Sequence, residues 1–189
     1  MKARGAGYFQ CAAAAAQNSF LGAGGSPHRG DGPEGFVDHG HHALINLDQF
    51  RLLEGYDENQ THNEDAEFDA RLIRAGGKVW LTRATYVTYF PRSRVRDLFM
   101  QYRNHGRGRA NTMLRHRMRP KARQLLPACI APGAILAAFA PLDIFFALPA
   151  AFWIAACATF GIFLGIRDRS APALAAGGAA AIMHLGWSV

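Results

Sequence analysis

Residues 63–77 have the sequence NEDAEFDARLIRAGG, which predicts a helix with clear ends. Asn63 can cap the first turn, and the three acidic residues that follow within that turn interact favourably with the positive end of the helix dipole. Gly76 and Gly77 end the apolar repeat of the helix. Residues 78–82 (KVWLT) then favour a strand. A helix followed by a strand is therefore the best-marked local structure in the chain.

Shorter elements are predicted around this pair. The alanine-rich residues 8–21 favour a helix, and the Gly/Pro-rich residues 22–35 favour a long loop of the kind found in functional, mobile segments. Residues 36–37 predict a short strand, residues 48–53 a short helix, and residues 85–90 a second strand. These elements suffice for one small domain or for part of a larger one.

The charge of the chain is unevenly distributed. The 189 residues carry a formal net charge of +7, an average that suits a basic soluble or nucleic-acid-binding domain. Residues 1–91, however, hold eight Lys and Arg against eleven Asp and Glu, whereas residues 92–124 hold eleven against one. Residues 125–189 hold two of each and are otherwise mostly apolar. An acidic globular region, a basic segment and an apolar tail are typical of a membrane protein, so no nucleic-acid partner is expected.

The apolar tail is long enough for two or three membrane-spanning helices. Residues 125–166 contain one charged residue, Asp143, and accommodate two helices at about 20 residues per span, while residues 171–188 are a weaker third candidate. The predicted spans are about 125–142, 145–166 and 171–188. Basic residues flank both ends of the predicted hairpin, which places the globular region in the cytoplasm. A buried helix pair in a soluble core is the alternative.

The basic segment, residues 92–124, joins the globular region to the tail. Residues 93–104 place apolar side chains at helical spacing with arginines between them. Such a helix lies along an anionic membrane surface, although an ordinary domain helix with a solvated basic face fits the same pattern. The three cysteines, Cys11, Cys129 and Cys157, make no paired framework, which favours a reducing, cytoplasmic environment.

Carboxylates crowd the start of the best-marked helix. Glu64, Asp65, Glu67 and Asp69 lie within six residues. Repulsion among like charges can raise the pKa of one of them and produce a general base. Acidic residues in a first helical turn are also ordinary partners of the helix dipole, and both interpretations stay open from the residues alone.

Histidines cluster just after the first predicted strand. Residues 38–42 have the sequence DHGHH, and His28 and His62 lie elsewhere. Imidazole and carboxylate are common metal ligands, so a zinc site is one interpretation. The spacing differs from the helical HExxH type, and on a strand His39 and His41 would share one face. A polar substrate pocket or a turn is the other interpretation.

Residues 101–109 (QYRNHGRGR) combine glycines with arginines. This spacing lets backbone and guanidinium groups approach a phosphate together. Because the segment directly precedes the apolar tail, lipid head groups or a diphosphate-bearing substrate are the expected partners. A solvated, membrane-facing belt of charge is the alternative.

Three motifs occur together in the chain. They are FVDHGHHAL at 36–44, GYDE at 55–58, and NEDAEFDARL followed by AGG between 63 and 77. Together they resemble the acceptor-binding half of family 2 glycosyltransferases with a GT-A fold. The resemblance is closer to the succinoglycan-type exopolysaccharide glucosyltransferases, which share the histidine segment, a QY…GRGRA run, an RPK-type basic turn and a few C-terminal membrane helices. It extends from about residue 9 to the end of the chain.

The resemblance implies an α/β fold class. Residues 1–91 would form the C-terminal, acceptor-binding part of a GT-A (Rossmann-like) domain. Residues 92–124 would form an amphipathic segment at the membrane interface, and residues 125–189 two to three transmembrane helices. The implied location is the bacterial inner membrane, crossed several times, with the globular part in the cytoplasm.

The resemblance also implies an activity: inverting transfer of a sugar, expected to be glucose from UDP-glucose, to a lipid-linked oligosaccharide during exopolysaccharide synthesis. The aspartate of the Glu-Asp pair is the general base in such enzymes, here Asp65, and Glu64 orients the acceptor. The acceptor is expected to contact four residues of the histidine segment, Asp38, His39, His41 and His42. The diphosphate is expected to contact Gln101, Arg107 and Arg109.

One motif of the family is missing. The complete enzymes carry a nucleotide-binding region and a DxD motif that holds Mg²⁺ or Mn²⁺ through the donor phosphates, and no DxD precedes the histidine segment here. We therefore expect this chain to hold no metal ligands and, as a fragment, to be inactive alone. A non-catalytic, membrane-anchored module that binds anionic lipid or a polysaccharide-synthesis partner is the alternative function.

Overall fold

The computed structural model describes residues 1–27, 29 and 33–189, and the side chain of Arg123 is outside that description, as is His28. The helices are α1 Tyr8–Gln17, α2 Phe20–Ala23, α3 Leu47–Leu52, α4 Glu64–Arg74, α5 Val95–Arg115, α6 Ala122–Ala128, α7 Ile130–Ala137, α8 Leu148–Arg167, α9 Ala171–Leu174 and α10 Ala176–Ser188. The strands are β1 Lys2–Ala3, β2 Gly35–Val37, β3 Val79–Leu81 and β4 Thr88–Tyr89. A short 3₁₀ helix, Ile144–Ala147, precedes α8.

The strands form two small sheets. β1 pairs with β4 in parallel, and β2 pairs with β3 antiparallel. The strand expected at 85–90 is limited to Thr88–Tyr89, because its partner β1 is itself only two residues long. The antiparallel pair fixes the segment that follows β2, and this segment carries the histidines.

The best-marked elements agree with the sequence-based predictions. α4 begins at Glu64 and ends at Arg74, and Gly76 has a φ of +85°, a conformation that favours glycine. The helix expected over 8–21 ends instead at Gln17, because the hydroxyl of Ser19 accepts a hydrogen bond from the backbone of Gly22 and starts a separate turn, α2.

The core lies where the tail meets the globular region. α10 packs against α1, α5 and α8, and its small residues allow close approach of the helices. The buried cluster consists mainly of alanines, with three larger side chains at its centre, Leu98, Leu164 and Met183. The third apolar segment of the sequence is therefore a central element of the core, and its thirteen helical residues span only about 20 Å.

One helix among the described residues is long and apolar enough to cross a membrane. It comprises the 24 residues Ile144–Arg167, and most of its surface is exposed. The first expected span, 125–142, is broken near Cys129 into α6 and α7, where Pro127 and Pro132 cannot donate backbone hydrogen bonds. The described residues thus contain one candidate for the two or three expected spanning helices, and the expected number is not confirmed.

The amphipathic helix expected over 93–104 continues to Arg115 as α5. Its second half contains two glycines that each lie close to the backbone of a neighbouring element, where a side chain would collide with that backbone. Gly106 faces the carbonyl of Trp187 on α10, and Gly108 faces the carbonyl of His62 ahead of α4. Contacts with neighbouring elements therefore outweigh the low helix propensity of glycine here.

Two adjacent glycines of α10 provide a matched test of the α8–α10 contact. A Cβ added at Gly177 would overlap the carbonyl of Cys157, whereas one added at Gly178 would meet no described atom within 4 Å. We expect Gly177→Ala to lower the free energy of unfolding by about 2 kcal/mol, as overpacking does. Gly178→Ala should cost nothing and can add a few tenths of a kcal/mol, roughly, through helix propensity. Thermal unfolding in detergent distinguishes the two, and equal melting temperatures would contradict the packing.

Candidate active site

A pocket of about 290 Å³ lies between the globular region and the tail. One wall is polar and comes from the histidine segment and the start of α4, including His39, His41 and Asp65. Other lining residues come from α6 and α10 and include Pro127, Met183 and Trp187. α5 also contributes lining residues to the pocket. The pocket can thus receive a molecule with a polar and an apolar part.

Asp65 reaches the pocket because of an unusual start to α4. The sequence predicts that Asn63 or Thr61 caps the helix; Asn63 occupies the N-cap position, but its side chain makes no capping hydrogen bond. Asn63 has a φ of +59°, and its amide bonds to α5 instead. It donates to the backbone carbonyl of His105 at 2.9 Å and accepts from the Nδ1 of His105 at 2.8 Å. This pair of bonds fixes the first turn of α4 against α5.

The GYDE motif supports α4 from the other side. Gly55 has a φ of +70°, and its carbonyl accepts a hydrogen bond from the guanidinium of Arg71 at 2.7 Å. The ring of Tyr56 packs edge-on against the ring of Phe68, with 5.7 Å between their centroids. Asp57 forms an ion pair with Arg115 of α5. The motif therefore holds α4 in position, and its residues lie outside the pocket wall.

A buried polar cluster joins α4 to the end of α5. Glu67 is fully buried and accepts hydrogen bonds from Arg71 at 2.8–3.0 Å and from Nε2 of His116 at 2.8 Å. Arg74 in turn donates to Nδ1 of His116 at 2.7 Å. Each ring nitrogen of His116 thus has a partner, as a buried imidazole requires.

The histidine segment is held by Asp69 of α4. One carboxylate oxygen, Oδ2, lies 2.8 Å from Nδ1 of His39 and accepts a second hydrogen bond, also of 2.8 Å, from the backbone of Gly40. Asp69 is buried, so both bonds are shielded from water. Its neighbour one turn earlier, Asp65, lies 3.1 Å from Nδ1 of His41 and 3.9 Å from Nε2 of His39.

These contacts keep Asp65 ionised. Partial burial on its own raises the pKa of a carboxyl group, but the hydrogen bond from His41, the nearby charges of both histidines and the backbone N–H of Ala66 together lower the pKa of Asp65 to about 2. The carboxylate is therefore fully charged at neutral pH. A charged, half-buried carboxylate on a pocket wall can accept a proton from a bound hydroxyl group.

The predicted site residues occupy two different places. Five of them line the pocket: His39, His41, Asp65, Gln101 and Arg109. The other four, Asp38, His42, Glu64 and Arg107, lie outside its wall. Asp38 forms an ion pair with Lys121, and the ring of His42 packs on the outer side of His41.

Several residues of the pocket were not predicted from the sequence, among them Arg29 and Trp187. Arg29 lies in the Gly/Pro-rich loop, with its guanidinium over the ring of Tyr89, and its Nη1 is buried without a hydrogen-bond partner among the described residues. Trp187 reaches the pocket from the tail. The available signal was the single arginine of the Gly/Pro-rich loop, since a guanidinium that lines a pocket is suited to an anionic ligand.

His105 gives the site a pH-dependent stability. Burial, assisted by the charge of His41, lowers its pKa to about 4, so the unfolded chain binds more protons than the folded chain between about pH 4 and 6.5. Stability is therefore lost as the pH falls through this range. Between pH 6.5 and 5 the expected loss from this group is about 2 kcal/mol. His105→Gln should remove this component, so unfolding measured at both pH values should show a smaller acid-induced loss; an unchanged loss would contradict the assignment.

One group of described residues could hold a metal ion. The donor atoms of His39, His41 and Asp65 lie within 4.8 Å of one another. Mg²⁺ prefers oxygen ligands, so two imidazoles do not fit the Mg²⁺ that the sequence resemblance implies for a bound diphosphate.

Comparison with known proteins agrees with the motifs. Over 188 residues the chain is 44% identical to the succinoglycan biosynthesis protein ExoA of Rhizobium meliloti (strain 1021). The chain is therefore similar to a protein of succinoglycan biosynthesis. The match covers all of this chain and 57% of ExoA, so the chain spans little more than half the length of that relative. No family model and no solved structure matches the chain.

Proposed function

We propose that this chain is the acceptor-binding and membrane-anchoring part of an inverting glycosyltransferase of exopolysaccharide synthesis. The observation that carries the proposal is the ionised carboxylate of Asp65 on the wall of a pocket that residues of the apolar tail also line. The 44% identity to ExoA supports the same reaction class. The non-catalytic module considered above receives no support from either observation.

Asp65 would act as the general base. Its Oδ2 accepts the proton of an acceptor hydroxyl group while the oxygen of that group attacks the anomeric carbon of the donor sugar. The bond from the anomeric carbon to the nucleoside diphosphate breaks at the same time, and the diphosphate leaves with the electron pair. Attack from the face opposite the leaving group inverts the configuration. His41 and His39 would hold the carboxylate in its charged form and in a fixed position.

The remaining pocket residues would bind the acceptor. Arg29 and Arg109 offer two guanidinium groups to phosphate, and Gln101 offers a side-chain amide. Met183 and Trp187 offer apolar surface to the beginning of a lipid chain. A lipid-linked, phosphate-bearing sugar combines a polar part, an anionic phosphate and an apolar chain, and the pocket offers groups for each of them. We therefore propose this class of molecule as the acceptor.

The donor and the location follow from the same family likeness. UDP-glucose is the proposed donor, and the Mg²⁺ or Mn²⁺ of the complete enzyme would be held by residues outside this chain. α8 and its preceding 3₁₀ turn would cross the bacterial inner membrane, with further spans in the complete protein. The basic segment would then face the cytoplasm, together with the pocket.

A chimeric protein tests this function. This chain would replace the matching segment of ExoA in a Rhizobium meliloti strain that lacks the native protein. We expect the strain to make succinoglycan again, and its membranes to transfer glucose from UDP-glucose to a lipid fraction. A chimera that reaches the membrane in normal amounts but restores neither product would overturn the proposal.

A further inference from the structure

The pocket wall contains a cluster of metal-binding side chains. His39, His41 and Asp65 contribute two imidazoles and one carboxylate, and the three side chains are 20–30% exposed. The Oδ2 atom of Asp65 faces both rings, at 3.1 Å from Nδ1 of His41 and 3.9 Å from Nε2 of His39. Ligands on a tetrahedral metal with bonds of about 2.1 Å are about 3.4 Å apart. All three donor atoms lie within 4.8 Å of one another, so side-chain rotations that shorten the longer separations would bring them onto one ion.

Asp69 gives His39 the orientation of a metal ligand. In the neutral form that binds metals, a proton on Nδ1 of His39 would be donated to the buried carboxylate of Asp69, 2.8 Å away, and the lone pair of the ring would lie on Nε2. This is the nitrogen that faces Asp65. Metal-ligating histidines commonly donate their other N–H to a carboxylate, because that bond fixes the tautomer and increases the basicity of the ligating nitrogen. The geometry of Asp69 thus points to a ligand on the far side of the ring.

We propose that His39, His41 and Asp65 bind one divalent transition-metal ion of the zinc class, with Asp69 as the positioning residue for His39. Two nitrogen ligands and one oxygen ligand suit Zn²⁺ and Co²⁺ and are poorly suited to Mg²⁺ or Ca²⁺. Three protein ligands leave a fourth position open toward the pocket.

The ion would regulate the reaction proposed above, and this step rests on the proposed function. A divalent cation bound to Oδ2 lowers the proton affinity of the whole carboxylate, because its charge stabilises the deprotonated form. Asp65 is therefore a much weaker base in the metal-bound state. Zinc is expected to inhibit sugar transfer by occupying the base.

Direct binding tests the site on the 189-residue chain itself. The chain, purified in detergent without a histidine tag, would be titrated with Zn²⁺ by calorimetry and with Co²⁺ by visible absorption. We expect one ion per chain, with Mg²⁺ failing to compete. Asp69→Asn should weaken binding 10- to 100-fold, roughly the effect of removing a residue that orients a ligand, and His39→Ala should weaken it further. His62→Ala, at an exposed histidine outside the pocket wall, should bind as the parent does.

Two outcomes would overturn the site. One is the absence of a one-to-one ion, and the other is equal binding by the parent and the His39→Ala chain. Circular dichroism of each variant checks that it folds. If the His39→Ala chain fails to fold, His41→Ala provides a second variant of a ligand residue. Both outcomes leave the proposed function intact, because no transfer reaction is measured.

Inhibition tests the regulatory step separately. In the chimera, zinc is expected to inhibit transfer with a measurable half-inhibitory concentration. Asp69→Asn should raise that concentration by the same factor by which it weakens zinc binding. If zinc binds through these ligands and transfer continues at full rate, the regulatory step fails, and Asp65 is not the base.

Discussion

Asp65→Asn is expected to reduce sugar transfer by about a thousandfold, the middle of the range that general-base catalysis contributes. The asparagine side chain keeps an oxygen that can accept the hydrogen bond from the backbone of Ala66, so the first turn of α4 should survive the change. It has no charge and cannot take a proton from a hydroxyl group. The measurement is the initial rate of glucose transfer from UDP-glucose by membranes that contain the chimera with ExoA.

Asp48→Asn is the matched control for this variant. Asp48 also lies in the first turn of a helix, α3, but it is exposed and outside the pocket wall. Its substitution should change the transfer rate by less than about twofold, since surface changes away from a site have small effects. If Asp65→Asn retained normal transfer, the base would have to be another residue, and the role of the pocket would need a different explanation.

Glu67→Ala is expected to have the largest effect on stability, a loss of about 3–5 kcal/mol in the free energy of unfolding. Removing one partner from a buried ion pair leaves the remaining groups without compensation. Here the guanidinium of Arg71, which is 24% exposed, and the buried Nε2 of His116 would both lose the carboxylate that accepts their hydrogen bonds. Because this cluster joins α4 to α5, its loss should also loosen the wall that carries Asp65.

Denaturant titration in detergent measures this effect. Glu58→Ala is the control, because Glu58 is exposed, and we expect it to change stability by less than about 0.5 kcal/mol. Glu67→Gln should be intermediate, since the amide oxygen can still accept one hydrogen bond. A Glu67→Ala chain as stable as the Glu58→Ala chain would show that the buried cluster contributes little to the fold.

The local elements were predictable where the sequence carries local signals. The acidic first turn, the apolar repeat and the paired glycines define α4 to within one residue of its observed ends. The contact between His39 and Asp69 was not predictable, since the two residues are 30 positions apart and meet only because β2 pairs with β3. The histidines and Asp65 were each identified as candidates, but their common pocket depends on this tertiary arrangement.

The fate of the tail was the least predictable part. Alanine and glycine are compatible both with a lipid environment and with close packing against another helix, so the composition of residues 171–188 could not distinguish a span from a core helix. The packing of α10 against α1 and α5 resolves this for the described chain. Arg29 was overlooked for a related reason: its approach to Tyr89 joins positions 60 residues apart.

The position of α10 limits how the protein can be engineered. Cutting off the tail to obtain a water-soluble catalytic piece would expose the buried alanines of α1 and remove Trp187 from the pocket. The outward side of α8, by contrast, carries exposed side chains such as Phe152, Ile162 and Phe163. Replacing these outward residues by polar ones, while keeping the inward Gly161 and Leu164, is the route to a soluble form that retains its binding pocket. The exposed apolar face of α8 and the pocket residues of α10 belong to the same packed group of helices. Solubility therefore has to be changed at the outer surface of that group, without removing either helix.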